Sequence, residues 1–352
     1  MDSLGVQCYT FDMQISFSGS AEDLKLLSED SKDIVGYSNA TSNIFDVFSR
    51  AGFDCKIKDS KSPVAIGMGY PIDYKFIGDQ YRIGYTAWES TKLHPEWYHI
   101  MSRCDEVWAT SSWTARVFSR QLGRDDIHVY SHGINHDWTP KERDIGEVFR
   151  FLHVGEPQIR KNGQLVVDAF IELFGNDPRY QLVMKCGGIN TTRVYGPDGS
   201  ILGGPDARYS NIKILTESLT HKQMIDLYHL CHVMVYPSAG EGFGFIPLQA
   251  LATGMPTIST WQWAEYKDFI TIKLKSSLSE TIHEQLHPGL TYDVDKEELK
   301  RTMIESVDNY KILHKDALKN VNKIHEQYDW DYVSKPTLER LKKIFKNRGF
   351  RN

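Results

Sequence analysis

Short runs of β-branched, aliphatic and aromatic residues recur along the chain and predict strands at residues 33–37, 64–68, 82–86, 106–110 and 127–130. Between them, Ile44, Val47, Phe48 and Ala51 fall at helical spacing and stop at Gly52. Ala115, Val117, Phe118 and Leu122 do the same and stop at Gly123. Strands alternating with helices predict a parallel sheet covered on both faces. After a polar stretch at 139–147 the alternation restarts. It predicts strand 149–154, helix 163–174, strands 181–185 and 211–215, helix 221–230, strand 233–236, helix 247–253 and strand 256–259. Residues 187–209 are rich in Gly, Pro, Asp and Asn without periodicity, and predict a long surface loop of the kind that borders sites. From Lys335 onward, Leu338, Leu341, Ile344 and Phe345 predict a last helix that docks on one of the lobes. The pattern as a whole predicts a two-lobed α/β protein with a cleft between the lobes.

A length of 352 residues, with 41% hydrophobic and 25% charged content, suffices for two cores. The net charge of -5 argues against a surface built throughout to hold nucleic acid. Five scattered cysteines (Cys8, Cys55, Cys104, Cys186 and Cys231) form no CxxC pair, which predicts neither a disulfide framework nor a zinc knuckle and fits the reducing cytoplasm. No cationic leader precedes an apolar run, and no stretch approaches the roughly 20 apolar residues that cross a bilayer. Neither secretion nor a transmembrane segment is expected.

The candidate chemistry lies in the second series. Gly240-Glu241-Gly242-Phe243-Gly244 precedes a short helix with Pro247 in its expected first turn and with Gly254 and Pro256 at its end. The glycines allow a tight turn whose free N–H groups attract phosphate or another anion. A carboxylate at Glu241 would be repelled by that phosphate unless it faced a sugar hydroxyl or the reacting carbon. A plain turn with an exposed Glu explains the motif alone equally well. Arg160 and Lys161 sit after strand 149–154 and before helix 163–174, where two cations would hold a diphosphate. The carboxyl ends of strands are where open α/β sheets collect ligands.

Residues 236–258, YPSAGEGFGFIPLQALATGMPTI, resemble the donor signature of the family-four retaining glycosyltransferases of GT-B fold. Arg160-Lys161, His132-Gly133-Ile134-Asn135, the stretch 83–89, residues 104–108 with Ser111, and Tyr328-Asp329-Trp330 are also similar to that family, so the likeness runs from about Arg82 onward. It implies two Rossmann-like lobes. These are an acceptor-side domain over 1–145, joined by the C-terminal helix 335–352, and a nucleotide-sugar domain over 146–334. It further implies that Glu241 lies against the donor sugar while Lys161 and Arg160 neutralise the diphosphate. Gly242, Phe243, Gly244 and Phe245 would then line the donor.

Three positions depart from the family. Gln249 stands where a second Glu binds the ribose, Gly155 stands where an Arg is usual, and the first lobe shows Thr86-Ala87-Trp88-Glu89 where an active-site His is expected. Glu89, Trp88 and His132 are therefore the acceptor-side candidates. The implied activity is metal-independent transfer from a UDP- or GDP-type sugar as co-substrate, with no other cofactor, to a hydroxyl of a glycan. A modified DNA base as acceptor, or a non-catalytic nucleotide-sugar-binding protein, are the alternatives.

Other conspicuous features have simpler explanations. Asp329-Trp330-Asp331 has the form of a metal motif but precedes the last helix. His229 and His232 lack partner ligands. Thr220 and Gln223 predict a capping box. The tail cations Arg340, Lys342, Lys343, Lys346, Arg348 and Arg351 suit the outer face of a packed helix, or else contact with an anionic surface. First-lobe aromatics such as Tyr70, Tyr85 and Trp97 suit a core, or else stacking on an acceptor ring.

Overall fold

The computed structural model of the protein describes residues 13–28, 30–32, 36–156, 158–186, 209–281 and 284–349. The first sheet is formed by β1 (Met13–Ser18), β2 (Phe53–Ile57), β3 (Val64–Met68), β4 (Tyr81–Thr86), β5 (Glu106–Ala109) and β6 (Ile127–Val129). All its pairings are parallel, in the order β2-β1-β3-β4-β5-β6, with Ile66 opposite Ile83 and Gly84 opposite Val107. Helices α1 (Gly36–Arg50), α2 (Pro95–Met101) and α3 (Ser112–Leu122) connect these strands. Ser111 caps α3 by accepting the Thr114 N–H, and Gly123 ends it in the left-handed conformation with φ 65°.

The second sheet repeats the scheme with β7 (Phe149–Val154), β8 (Tyr180–Lys185), β9 (Ile212–Leu215), β10 (Val233–Tyr236), β11 (Thr257–Ser259) and β12 (Ile272–Lys273). Its order is β12-β11-β10-β7-β8-β9, again parallel. Helices α4 (Gly163–Phe174), α5 (His221–Leu230) and α6 (Phe245–Ala252) connect it. The Thr220–Gln223 capping box is formed at the start of α5. An antiparallel hairpin follows, β13 (Ser277–Glu280) with β14 (Leu290–Asp293), and then α7 (Lys296–Asp308), α8 (Tyr310–Tyr328) and α9 (Trp330–Arg348). Leu341, Ile344 and Phe345 of α9 pack with Ile15, Phe48 and Phe53, so the chain ends its described course on the first sheet.

Four expectations need correction. Gly36 and Tyr37 open α1 rather than ending a strand, because Ala40, Thr41, Ile44, Val47 and Phe48 carry the buried helical stripe through this region; residues 33–35 lie outside the described residues. The strands β1 and β2 were not expected. In β1 the apolar pattern is broken by Ser16 and Ser18, which are buried and accept the N–H groups of Asp59 and Lys75. Helix α6 starts at Phe245, two residues before Pro247, with Gly244 at φ 81° as its N-cap. Helix α9 starts at Trp330 rather than Lys335, because the Asp329 side chain caps it by accepting the Tyr332 N–H. The expected loop 187–209 lies outside the described residues except for Tyr209.

Each sheet has one place where consecutive strands depart to opposite sides. In the first it lies between β1 and β3, and in the second between β7 and β10. The loops at the carboxyl ends of those strand pairs diverge and leave a crevice, which is where ligands of open α/β sheets bind.

Candidate active site

At the second crevice, β7 runs into Gly155 and a short 3-10 turn, Ile159–Lys161. Asn162 follows at φ 55° and α4 begins. The loop after β10 carries residues 237–244. The two loops are tied together, since Asn162 Nδ2 donates to the Pro237 carbonyl (2.8 Å) and the Ala239 N–H to the Arg160 carbonyl (2.8 Å).

Their side chains converge on one atom. Glu241 Oε1 accepts from Lys161 Nζ (2.5 Å), Arg160 Nη1 (3.0 Å), Tyr236 Oη (2.8 Å) and Ser238 Oγ (2.5 Å). Burial raises the Glu241 carboxyl, but Lys161 and Arg160 outweigh it and hold the group down at about 2. Burial lowers the Lys161 ammonium and outweighs the pull of Glu241 in the other direction. For Arg160, burial acts downward, yet Glu241 and Glu89 keep the guanidinium above its ordinary value. Gly155, where the family resemblance leads one to expect Arg, abuts the Lys161 stem; a Cβ there would lie 3.4 Å from Lys161 Cγ.

The glycine loop has a cause that the sequence did not reveal. Side chains at Gly240 and Gly242 would collide with Glu89 and Ala87 of the first lobe, and one at Gly244 with Trp263. The Gly242 carbonyl accepts from Thr110 Oγ1 (2.8 Å) and Thr114 Oγ1 (3.3 Å), and the Gly244 carbonyl accepts from the Tyr266 hydroxyl. The loop is therefore a seat for the first lobe as well as a turn before α6. Phe243 is buried, and with Phe245 it packs on His132, which also meets Tyr85 and Trp330. Burial pushes His132 down to about 3, so its ring is neutral. It belongs to an aromatic junction between the lobes and makes no hydrogen bond to the Glu241 cluster among the described residues. Gln249 is half-buried and accepts from the Tyr228 hydroxyl at 3.4 Å.

From the first lobe, Glu89 reaches the cluster. Its Oε1 lies 3.8 Å from Arg160 Nη2, and its Oε2 lies 3.7 Å from His287 Nδ1. Trp88 does not reach it. It is buried, donates its indole N–H to the Lys92 carbonyl and packs on Trp97 at 4.5 Å, as a core residue does.

The β13–β14 hairpin was also missed, because its strands Ser277–Glu280 and Leu290–Asp293 are short and mostly polar. It bridges both lobes. Thr91 N–H and Lys92 N–H donate to the Leu290 and Pro288 carbonyls, and Tyr292 N–H donates to the Ala239 carbonyl. A cavity of about 260 Å³ lies between this hairpin and the Arg160 loop, lined in part by Asn162, His287, Thr291 and Asp293.

Among the described residues no group of three or more His, Cys, Asp or Glu is arranged to hold a metal. His229 and His232 bond backbone carbonyls of Thr139 and Asp144. Asp331 pairs with Arg50, consistent with a structural use of that motif. No described helix is long and apolar enough to cross a membrane. Cys55, Cys104, Cys186 and Cys231 are free thiols, and Cys8 lies outside the described residues.

Residues 137–271 match the family model described as glycosyl transferases group 1. The chain is 28% identical over 195 residues to the lipopolysaccharide core biosynthesis mannosyltransferase LpsB of Rhizobium meliloti, covering 51% of this chain and 52% of that protein. It is 26% identical over 151 residues to a D-inositol 3-phosphate glycosyltransferase of Corynebacterium jeikeium, covering 38% of this chain and 33% of the other. It thus spans about half or less of the length of these curated relatives. A sucrose-phosphate synthase structure from Thermosynechococcus elongatus superposes with a TM-score of 0.62 at 13% identity, covering 96% of this chain and all of the other. The fold is GT-B. Arg160, Lys161, Glu241 and Gln249 all fall inside the matched segment, whereas Glu89 and His132 fall before it.

Proposed function

We propose that the protein transfers a sugar, with retention of configuration, from a nucleoside-diphosphate sugar to an acceptor hydroxyl on a glycan. The observation that carries this reading is the convergence of Arg160 and Lys161 on Glu241 at the crevice between β7 and β10. Breaking the bond between the anomeric carbon and the diphosphate builds positive charge on the carbon and negative charge on the leaving oxygen. Lys161 and Arg160 answer the second charge and Glu241 the first. The acceptor oxygen attacks from the face the diphosphate leaves, and its proton passes to that phosphate, so no separate base is needed. The backbone N–H groups of Gly242 to Gly244 approach the donor, Gln249 offers its amide to the ribose, and Glu89 faces the acceptor side.

The donor is of UDP or GDP type, and the likeness to a named mannosyltransferase favours a hexose. The free thiols suit a reducing cytoplasm. A DNA acceptor or an anionic surface would call on the basic tail. There, however, Arg340 is engaged by the buried Glu106, and Arg348 lies over Tyr81 at 4.5 Å.

The test is turnover with a panel of UDP- and GDP-sugars, reading release of the nucleoside diphosphate for wild type and Glu241→Ala. Release that depends on Glu241 supports transfer. Donor binding with no release above the Glu241→Ala background overturns it in favour of a binding protein.

A further inference from the structure

In the β13–β14 hairpin, β13 pairs with one edge of β14. Leu290 and Tyr292, two residues apart, present their backbone groups on the other edge. The Leu290 carbonyl accepts the Thr91 N–H (3.0 Å), the Leu290 N–H donates to Thr91 Oγ1 (2.8 Å), and the Tyr292 N–H donates to the Ala239 carbonyl (2.7 Å). Just before β14, the Pro288 carbonyl accepts from the buried Ser90 Oγ (2.7 Å) and from the Lys92 N–H (3.3 Å). Gly289, at φ 91°, seats this contact, since a side chain there would lie 2.7 Å from Thr91 Oγ1. An edge that would otherwise stay open is thus filled from one lobe at residues 90–92 and from the other at Ala239.

These bonds form one backbone path between the two charged groups that face each other across the cleft. The Arg160 carbonyl accepts the Ala239 N–H (2.8 Å), the Ala239 carbonyl accepts the Tyr292 N–H, and two residues along β14 the Leu290 carbonyl accepts the N–H of Thr91, two residues beyond Glu89. The Glu89 carboxylate lies 3.8 Å from Arg160 Nη2 and 3.7 Å from His287 Nδ1 of the hairpin. Those separations exceed hydrogen-bond length, so the two pairs do not by themselves fix Glu89. Backbone links hold their spacing more tightly than long side chains, and a shift of the Arg160 loop either passes along the path to residues 89–92 or breaks one of its bonds.

We infer that the β13–β14 hairpin is a clasp that closes the lobes on each other, with Ser90 and Thr91 as positioning residues that set Glu89 against Arg160. Its part in transfer rests on the proposed function, whereas the clasp itself does not. The experiment is amide hydrogen exchange read residue by residue by NMR, on wild type, Gly289→Ala and the double variant Ser90→Ala with Thr91→Val, each with and without UDP or GDP. In the double variant two hydrogen bonds are lost, and the amides of Thr91, Tyr292 and Ala239 should all exchange faster by one common factor of about 30. Gly289→Ala should speed the same three amides. Those of Leu152 and Val183, in the core of the second sheet, should keep their wild-type rates and so report that the variants are folded.

Faster exchange at Thr91 alone overturns the clasp, as does uniform acceleration that includes Leu152 and Val183, because the hairpin would then not open as a unit of its own. Nucleotide should slow Thr91 in wild type and not in the double variant. A nucleotide that shifts the Gly242 resonance and leaves Thr91 unchanged overturns the link between the lobes. If no nucleotide shifts Gly242, the donor site fails instead, and the comparison without nucleotide still decides the clasp. In turnover with UDP- and GDP-sugars, Glu89→Gln should lower nucleoside diphosphate release in wild type and add little in the double variant, and full additivity overturns the positioning of Glu89. Absence of release from wild type counts against transfer and not against the clasp.

Discussion

Lys161 Nζ and Glu241 Oε1 stand 2.5 Å apart, and they come from the two loops that part at the crevice of the second sheet. Both are largely withdrawn from water; removing Glu241 strands two buried cations, a loss of about 3 kcal/mol, whereas removing Lys161 leaves Glu241 with Arg160 as its cation and costs less. Lys161→Ala and Glu241→Ala should therefore each lower the melting temperature. They should differ in response to ligand. Glu241→Ala leaves Lys161 and Arg160 facing each other, so added nucleoside diphosphate should restore most of its stability, whereas Lys161→Ala should respond weakly. Thermal shifts with and without UDP or GDP decide this, and equal responses from the two variants would contradict the assigned roles.

The same pair fixes a pH expectation. Glu241 is held at about 2, below its ordinary 4.5, so its contribution to stability is present above 4.5 and is lost as pH falls toward 2. The pH–rate profile should accordingly show no acid limb from Glu241 above about pH 3. An acid limb near pH 4.5 that disappears in Glu241→Gln would show that the carboxylate is not held by its cations during turnover.

Much of this arrangement was legible in the sequence wherever local pattern and burial agree. Strands β3 and β10 are continuous apolar runs, β7 is one interrupted by Arg150 and His153, and α4 and α5 carry clear stripes between good punctuation. The pairing of Arg160 and Lys161 with Glu241 was only half legible. The residues could be named, but that both cations share one carboxylate oxygen depends on two loops meeting. The glycines of 240–244 were assigned to phosphate approach, although Ala87 and Glu89 press against them from the other lobe.

The seat between the lobes gives a further expectation. A methyl group on Gly242 would lie 2.7 Å from both Ala87 Cα and the Trp88 nitrogen, and backbone atoms cannot move aside cheaply. Gly242→Ala should cost about 1–3 kcal/mol, as overpacking does, and should reduce turnover because the Glu89 side is displaced from Arg160. Thr110→Val removes a 2.8 Å bond to the Gly242 carbonyl and should cost only about 1 kcal/mol. Because both act on one contact, the double variant should lose less than the two losses added together. Chemical denaturation checks it, and strict additivity would mean that the two residues do not share the seat.

At the opposite end of the first sheet, Glu106 is buried with its carboxylate shared by Arg340 of α9, the Tyr81 hydroxyl and the Trp108 indole N–H. Arg340→Met leaves that carboxylate without its cation and should destabilise by about 3 kcal/mol. The double variant Arg340→Met with Glu106→Gln removes the stranded charge and should recover part of the loss. Urea denaturation of the three variants distinguishes this from simple loss of packing, in which case the double variant would be no better than Arg340→Met.

Acid sensitivity should come from buried histidines. Burial lowers His132 from 6.5 to about 3 and His153 to about 4, so both are neutral in the folded protein while the unfolded chain takes up a proton at each near pH 6.5. A group depressed in this way contributes stability that is present above 6.5 and is lost as pH falls toward its folded value. Between pH 7 and pH 5 each histidine should remove up to about 2 kcal/mol. His132 is the cleaner probe, because its ring packs against Phe243 and Phe245 and its Nδ1 has no hydrogen-bond partner among the described residues. His132→Phe keeps the aromatic contacts and cannot take up the proton. It should match wild type at pH 7 within about 1 kcal/mol and exceed it at pH 5, with a shallower fall between the two. Urea titrations of both proteins at the two pH values test this, and parallel falls would show that His132 takes up its proton in the folded protein as readily as in the unfolded chain.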